Sequence, residues 1–374
     1  MNRRKLLGGL AAVTASGIVP GVSRSSAAAG QDAGPAPTGM RAGSRNLITD
    51  VAGLKVGHAS DPAVRTGVTI ILPDAPAVAA VDVRGGGPAS RETDVLLPEN
   101  LVQEVDGIVL SGGSVYGLAS ADGVAAWMGA RNRGFALREA PGIPPSPILP
   151  TACLYDLANG GDKAWGEEPP YRKLGVEAVE AAGPEFALGT AGAGYGANSG
   201  GLKGGLGSAS AMSRDGMTVG ALVAVNSLGS AVAPDSRQFW AAPWELNDEF
   251  GGLGTDELAA GPENYGRAMR PRANTTLACI ATDVALSRVE LKRIAIMAQD
   301  GLGRALRPAH APFDGDIVFA LSTADQESAG DTLRAVLVTR LGAMAADVLA
   351  RAIARAVYEA TALAGSDVPA WRDL

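Results

Sequence analysis

Histidine and cysteine are nearly missing from this chain: two of each, His58, His310, Cys153 and Cys279, in 374 residues. A zinc centre needs three or four closely spaced ligands from His, Cys and carboxylates, and no His-Glu-x-x-His or Cys-x-x-Cys pattern is present. The sequence therefore argues against metal catalysis. Positive charge is also short, with a formal net charge of -7, which makes nucleic acid and anionic membrane surfaces poor partners. Charged residues are only 19% and hydrophobic ones 47%, which excludes a disordered tail or a solvated coiled coil. The apolar run at 6–19 is shorter than the roughly 20 residues a spanning helix needs. Both cysteines lie in apolar runs, where buried free thiols are ordinary, so two unpaired thiols are expected.

Glycine is abundant instead, at 50 residues, about twice the usual share, and it follows no collagen-like or solenoid period. Tight turns and close backbone approaches are implied. At the start, Asn2-Arg3-Arg4-Lys5, the apolar run and the small residues Ser26-Ala27-Ala28-Ala29 form a targeting segment. The paired arginines favour the twin-arginine route, with a periplasmic or secreted destination. Residues 1–29 are read as the signal peptide and 30–44 as a Gly/Pro/Ala-rich linker. Removing the signal takes four positive charges (Arg3, Arg4, Lys5, Arg24) and no negative one, leaving -11. The substrate is expected to be small.

Strand patterns at 51–58, 67–72 and 78–83 precede a β-turn-α unit, with a buried strand at 106–110, the turn Gly112-Gly113-Ser114 and a helix at 119–128. A helix is predicted at 174–182 and a buried strand at 217–225. From 247 to 273 the chain loses periodicity and gains Gly, Pro and charge, which suggests an exposed loop open to cleavage. Beyond it come a strand at 277–281, a helix opened by the capping box Ser287-Arg288-Val289-Glu290, a strand at 316–321 and a long Ala/Leu/Val helix at 332–363. Alternating strands and helices around one core imply stacked layers.

The candidate chemistry lies in four places. Arg272-Ala273-Asn274-Thr275-Thr276-Leu277 sets an Asn-Thr link at the mouth of the strand at 277–281. Scission between Asn274 and Thr275 would expose a threonine with both a hydroxyl nucleophile and a free α-amine, although such a pair also marks an ordinary turn. In a strand, Asp314 and Asp316 would face one side and raise each other's pKa if buried; a solvated Asp-Gly-Asp turn is the alternative. Lys203 stands in a glycine-dense loop, either solvated or brought by bare backbone toward a reacting group. Ser114 with His310 downstream has the chain order of an α/β-hydrolase, but Tyr116 occupies the elbow's second glycine position, and a helix start explains Ser114 equally. The run from Gly192 to Ala197 approaches a dinucleotide fingerprint, yet the glycine-dense stretch after it cannot be the helix such a site requires, so no cofactor is expected.

Val81-Asp82-Val83-Arg84-Gly85-Gly86-Gly87-Pro88 with Arg91-Glu92-Thr93-Asp94, Leu110-Ser111-Gly112-Gly113-Ser114 with Ala121-Asp122-Gly123-Val124, and Asn274-Thr275-Thr276 together resemble a known family. It is the self-processing N-terminal-nucleophile amidohydrolases: L-aminopeptidase/D-esterases, β-peptidyl aminopeptidases, the pantetheine hydrolase of carbapenem biosynthesis and the 6-aminohexanoate-oligomer (nylon oligomer) endohydrolases. The resemblance implies a four-layer αββα sandwich of N-terminal-nucleophile-hydrolase type. It also implies one structural domain made from an α chain, 45–274, and a β chain, 275–374, with Thr275 as nucleophile. Asp314 and Asp316 match the acidic pair of the nylon-oligomer hydrolases, where the aminopeptidases carry serine and glutamate. By the same resemblance Lys203 helps the acidic pair to handle the proton, Asn226 supplies an oxyanion donor, Tyr155 lines the substrate cleft, and the processed unit forms a homotetramer. Cys153 stands where the aminopeptidases carry a glutamate for the substrate's free amine, so the resemblance leans toward an endo-type amide hydrolase of small peptides or ω-amino-acid oligomers. An aminopeptidase or esterase of the same family and a non-catalytic secreted binding protein are the alternatives.

Overall fold

A computed structural model describes residues 39–138, 140–255, 274–324 and 333–374. The expected targeting segment 1–29, the expected linker as far as residue 38 and positions 256–273 of the expected processing loop lie outside the described residues. The strands in chain order are β1 (Leu54–Asp61), β2 (Thr66–Pro73), β3 (Ala77–Val83), β4 (Ala89–Arg91), β5 (Glu104–Val105), β6 (Ile108–Ser111) and β7 (Thr151–Cys153). They continue with β8 (Asn198–Ser199), β9 (Leu202–Lys203), β10 (Gly205–Met212), β11 (Thr218–Asn226), β12 (Thr275–Thr282) and β13 (Ile317–Ser322). The helices are α1 (Ser120–Gly129), α2 (Tyr171–Glu180), α3 (Arg288–Ala305) and α4 (Arg334–Tyr358).

One sheet runs β1-β2-β6-β7-β4 and the other β10-β11-β12-β13-β3-β5, both mixed, and β8 pairs β9 alone. Apolar clusters fill three successive interfaces. One joins α1 and α2 to the first sheet through Val68, Ile70, Val124 and Leu174. A second fills the space between the sheets with Ile71, Leu110, Leu222, Cys279 and Phe319. The third joins the second sheet to α3 and α4 through Val223, Ile280, Leu302 and Leu349. Three interfaces make four layers, α-β-β-α. Strands covered on both faces need continuous rather than alternating apolar sequence, and β2, β11 and β12 are buried at every position.

Several sequence expectations meet a physical reason here. The capping box at Ser287 and Glu290 is formed, and α3 begins where it predicts. Some of the glycine excess serves helix approach: a Cβ on Gly207 of β10 would lie 2.0 Å from the Ala352 carbonyl oxygen of α4, so only a bare backbone admits that helix. At the start of the expected loop, where Asn247, Asp248 and residues 252–255 are exposed and without helix or strand, two side chains are tied to the core. Phe250 is buried, and Glu249 pairs with the buried Arg351 of α4, which also donates to the Ser210 carbonyl at 2.8 Å. Removal of such a charge from water is tolerated only with a partner, and this pair anchors the stretch against the core. Both cysteines are free and buried, in different sheets.

Candidate active site

The site forms where β11 ends and β12 begins. Thr275, the first residue of β12, is opposite Asn226, the last residue of β11, in the antiparallel ladder. It is buried, and its hydroxyl donates to the carbonyl oxygen of Asn274, part of the link expected to break. β13 lies parallel on the other side, with Leu277 in register with Ile317, so the residues just before β13 lie beside the start of β12. These are Asp314, Gly315 and Asp316. They precede the strand rather than share its face, a correction to the expected geometry, yet both carboxylates are buried.

The glycines make this contact possible. A Cβ on Gly315 would lie 2.7 Å from Thr275 Oγ1, so the nucleophile candidate rests against the bare backbone between the two aspartates. Opposite it, the turn 84–87 clasps the acidic segment: the Arg84 and Gly85 amides donate to the Asp316 carbonyl at 3.0 and 3.2 Å, and the Gly87 amide donates to the Asp314 carbonyl at 2.8 Å. A Cβ on Gly85 would fall 2.2 Å from Asp316 N. The motif Arg84-Gly85-Gly86-Gly87 is thus the bed on which the acidic pair is fixed.

The two carboxylates are held differently. Asp316 Oδ1 accepts the Thr276 amide at 2.9 Å, and Oδ2 accepts the His310 amide and meets His310 Nδ1, each at 2.9 Å. Asp314 takes only longer bonds, from the amides of Ala311 at 3.2 Å and Leu228 at 3.4 Å. Burial first, and the neighbouring Asp316 second, push the Asp314 carboxyl up to about 6.

Asn226 is fixed at both ends of its amide, with Oδ1 accepting from Asn198 N at 2.9 Å and Nδ2 donating to the Tyr155 carbonyl at 3.0 Å. The expected cleft residue Tyr155 therefore reaches the site through its backbone. Lys203 is fully buried and paired with Asn198 across β8 and β9. Its ammonium donates to the carbonyls of Ala197 and Gly204 at 2.8 Å and of Gly194 at 3.2 Å, and burial pushes it down to about 7. Three donors meet three carbonyls. Cys153 is buried; a Cβ on Gly117 would lie 2.9 Å from its Sγ, and burial raises its thiol pKa.

Thr275, Asp314, Asp316 and Asn226 are thus brought together, while Lys203 is one hydrogen-bonded step removed. Sequence reasoning missed Gly315, Asn198 and the turn 84–87 as parts of the site. It considered His310 only as a partner for Ser114, whereas the ring lies on Asp316.

Residues 46–369 match peptidase family S58. An uncharacterized aminopeptidase of Mycobacterium tuberculosis is 44% identical over 348 residues, covering 88% of this chain and 98% of that protein. A 6-aminohexanoate-oligomer endohydrolase of Kocuria sp. is 29% identical over 342 residues, covering 84% of this chain and 86% of its own. Among solved structures, the l-aminopeptidase d-ala-esterase/amidase from Ochrobactrum anthropi, described as a variant of the ntn hydrolase fold, superposes with a TM-score of 0.65. It is 22% identical, with 88% of this chain and 92% of that chain covered. The four-layer architecture is that fold variant. The lean toward the nylon-oligomer type is weakened, because the relatives named as aminopeptidases are much more alike to this chain.

Proposed function

Since the chain belongs to peptidase family S58 and is a hydrolase of peptide or amide bonds, we propose that it cuts itself between Asn274 and Thr275 and then works through Thr275 as an aminopeptidase-type amidase on small peptides. The observation that carries this reading is the Thr275 hydroxyl lodged between the Asn274 carbonyl and the bare backbone of Gly315. In self-processing, Thr275 Oγ1 attacks the Asn274 carbonyl carbon while Asp314 takes its proton. Asp314 passes that proton to the peptide nitrogen, which leaves as the α-amine of Thr275, and water hydrolyses the resulting ester to free the Asn274 carboxylate and restore the Thr275 hydroxyl. A substrate amide follows the same course, with the acyl group held on Oγ1 until water releases it. Asn226, opposite Thr275 in the ladder, serves as the oxyanion donor. Lys203 takes a different part from the one the resemblance implied: with its protons on three carbonyls, it fixes the 194–204 turn and so holds Asn198 against Asn226.

Two measurements bear on this reading. Asp314 must be ionised to accept a proton, so kcat/KM falls as pH drops through about 6, where its carboxyl takes one up. A profile flat from pH 5 to pH 8 would remove Asp314 as the base. For substrate class, free-amine dipeptide amides are expected to exceed their N-acetylated forms by about tenfold or more in kcat/KM, since exopeptidase action uses the ammonium for binding. The second reading, an endo-type hydrolase of ω-amino-acid oligomers, is favoured by the neutral buried Cys153 and the Asp314/Asp316 pair. Equal or better turnover of the acetylated forms would support it instead.

A further inference from the structure

His310 is the titratable side chain that, among the described residues, touches the acidic pair from outside it. Its backbone is left-handed, with φ +57°, a conformation uncommon for a residue bearing a Cβ. That twist brings the amide and the ring Nδ1 of one residue to the same atom, Asp316 Oδ2, at 2.9 Å each. With Thr276 N on Oδ1, the Asp316 carboxylate meets three short contacts, whereas Asp314 has two longer ones.

We propose that His310 is a positioning residue that holds the Asp316 carboxylate in place and thereby leaves Asp314 as the member that exchanges the proton of Thr275. The proposal rests on Thr275 being the nucleophile. Nearby cations are engaged elsewhere: the Arg307 guanidinium lies over the Trp240 ring at 4.1 Å, and Arg84 is bound to Asp82 and the Ile296 carbonyl. Part of the His310 side chain reaches solvent, 25% exposed. Positive charge on the ring opposes protonation of Asp314.

The test compares processed His310→Ala and His310→Asn enzymes across pH. With alanine, kcat is expected to fall about tenfold or more with KM within about twofold, and the acid limb to move to higher pH, because the charge that favoured ionised Asp314 is gone. Asparagine places an amide N–H near the position of Nδ1, so kcat recovers to within about threefold of wild type while the limb stays displaced, the amide being uncharged. Wild-type kcat and an unmoved limb in the alanine variant overturn the proposal. If that variant does not fold or process, the asparagine variant decides: an unmoved acid limb there also overturns it. Thr275→Ala is run beside them. Activity in that variant would remove the nucleophile assignment, a failure separable from the behaviour of His310.

Discussion

Thr275→Ala yields a folded, full-length chain that neither cuts itself nor hydrolyses amides. The side chain lost is small, and the backbone ladder between β11 and β12, in which Asn226 opposes position 275, does not depend on it. Stability should therefore change by only about 1 kcal/mol. Chemistry changes far more, because deleting a nucleophile removes the covalent route altogether, a loss on the order of 10⁴-fold or greater. Denaturing electrophoresis and intact mass are expected to show a single species for the variant and two for the wild type. Residual amidase activity above about 1% of wild type is incompatible with the proposed mechanism.

The second large effect comes from one methyl group. Gly315→Ala places a Cβ 2.7 Å from Thr275 Oγ1 and 3.0 Å from the Gly87 carbonyl oxygen, so the hydroxyl must move. The backbone at Gly315 is not left-handed, which leaves this collision as the main effect of the substitution. Displacing a reacting atom by about 1 Å can lower a rate on the order of 100-fold, and both self-cleavage and turnover should slow by about that much. Gly303→Ala, on a face of α3 where a Cβ meets nothing within 4 Å, serves as the control and should behave as wild type or be slightly more stable. Equal processing half-times for the two variants would show that Thr275 does not depend on the space beside Gly315.

Much of the layer order was legible because the cues were local. Continuous apolar runs marked the strands covered on both faces, and Ser287 with Glu290 marked the start of α3. Thr275 at a strand mouth could be read the same way. What escaped depends on how distant segments meet. Asp314 and Asp316 read as one face of a strand, but they lie ahead of β13, and their shared surroundings come from the clasp of the turn 84–87 across more than 220 residues of chain. His310 reaches Asp316 only through a left-handed backbone, which nothing in its neighbours announces. Lys203 was recognisable as unusual, but its three carbonyl partners are set by the fold of the glycine turn. The anchoring of Glu249 was not legible because composition alone cannot show that it meets Arg351 from a helix about a hundred residues later.

The strand order β11-β12-β13-β3 means that the segment after Asn274 occupies the interior of its sheet, with strands from the other segment on both sides. A nick before Thr275 therefore frees an end without freeing a piece. The two polypeptides would remain interleaved like a keystone between voussoirs, the shorter one lacking a sheet of its own to fall back on. Maturation would be a one-way event, since a denatured enzyme would have to reassemble from two strangers what a single chain first built.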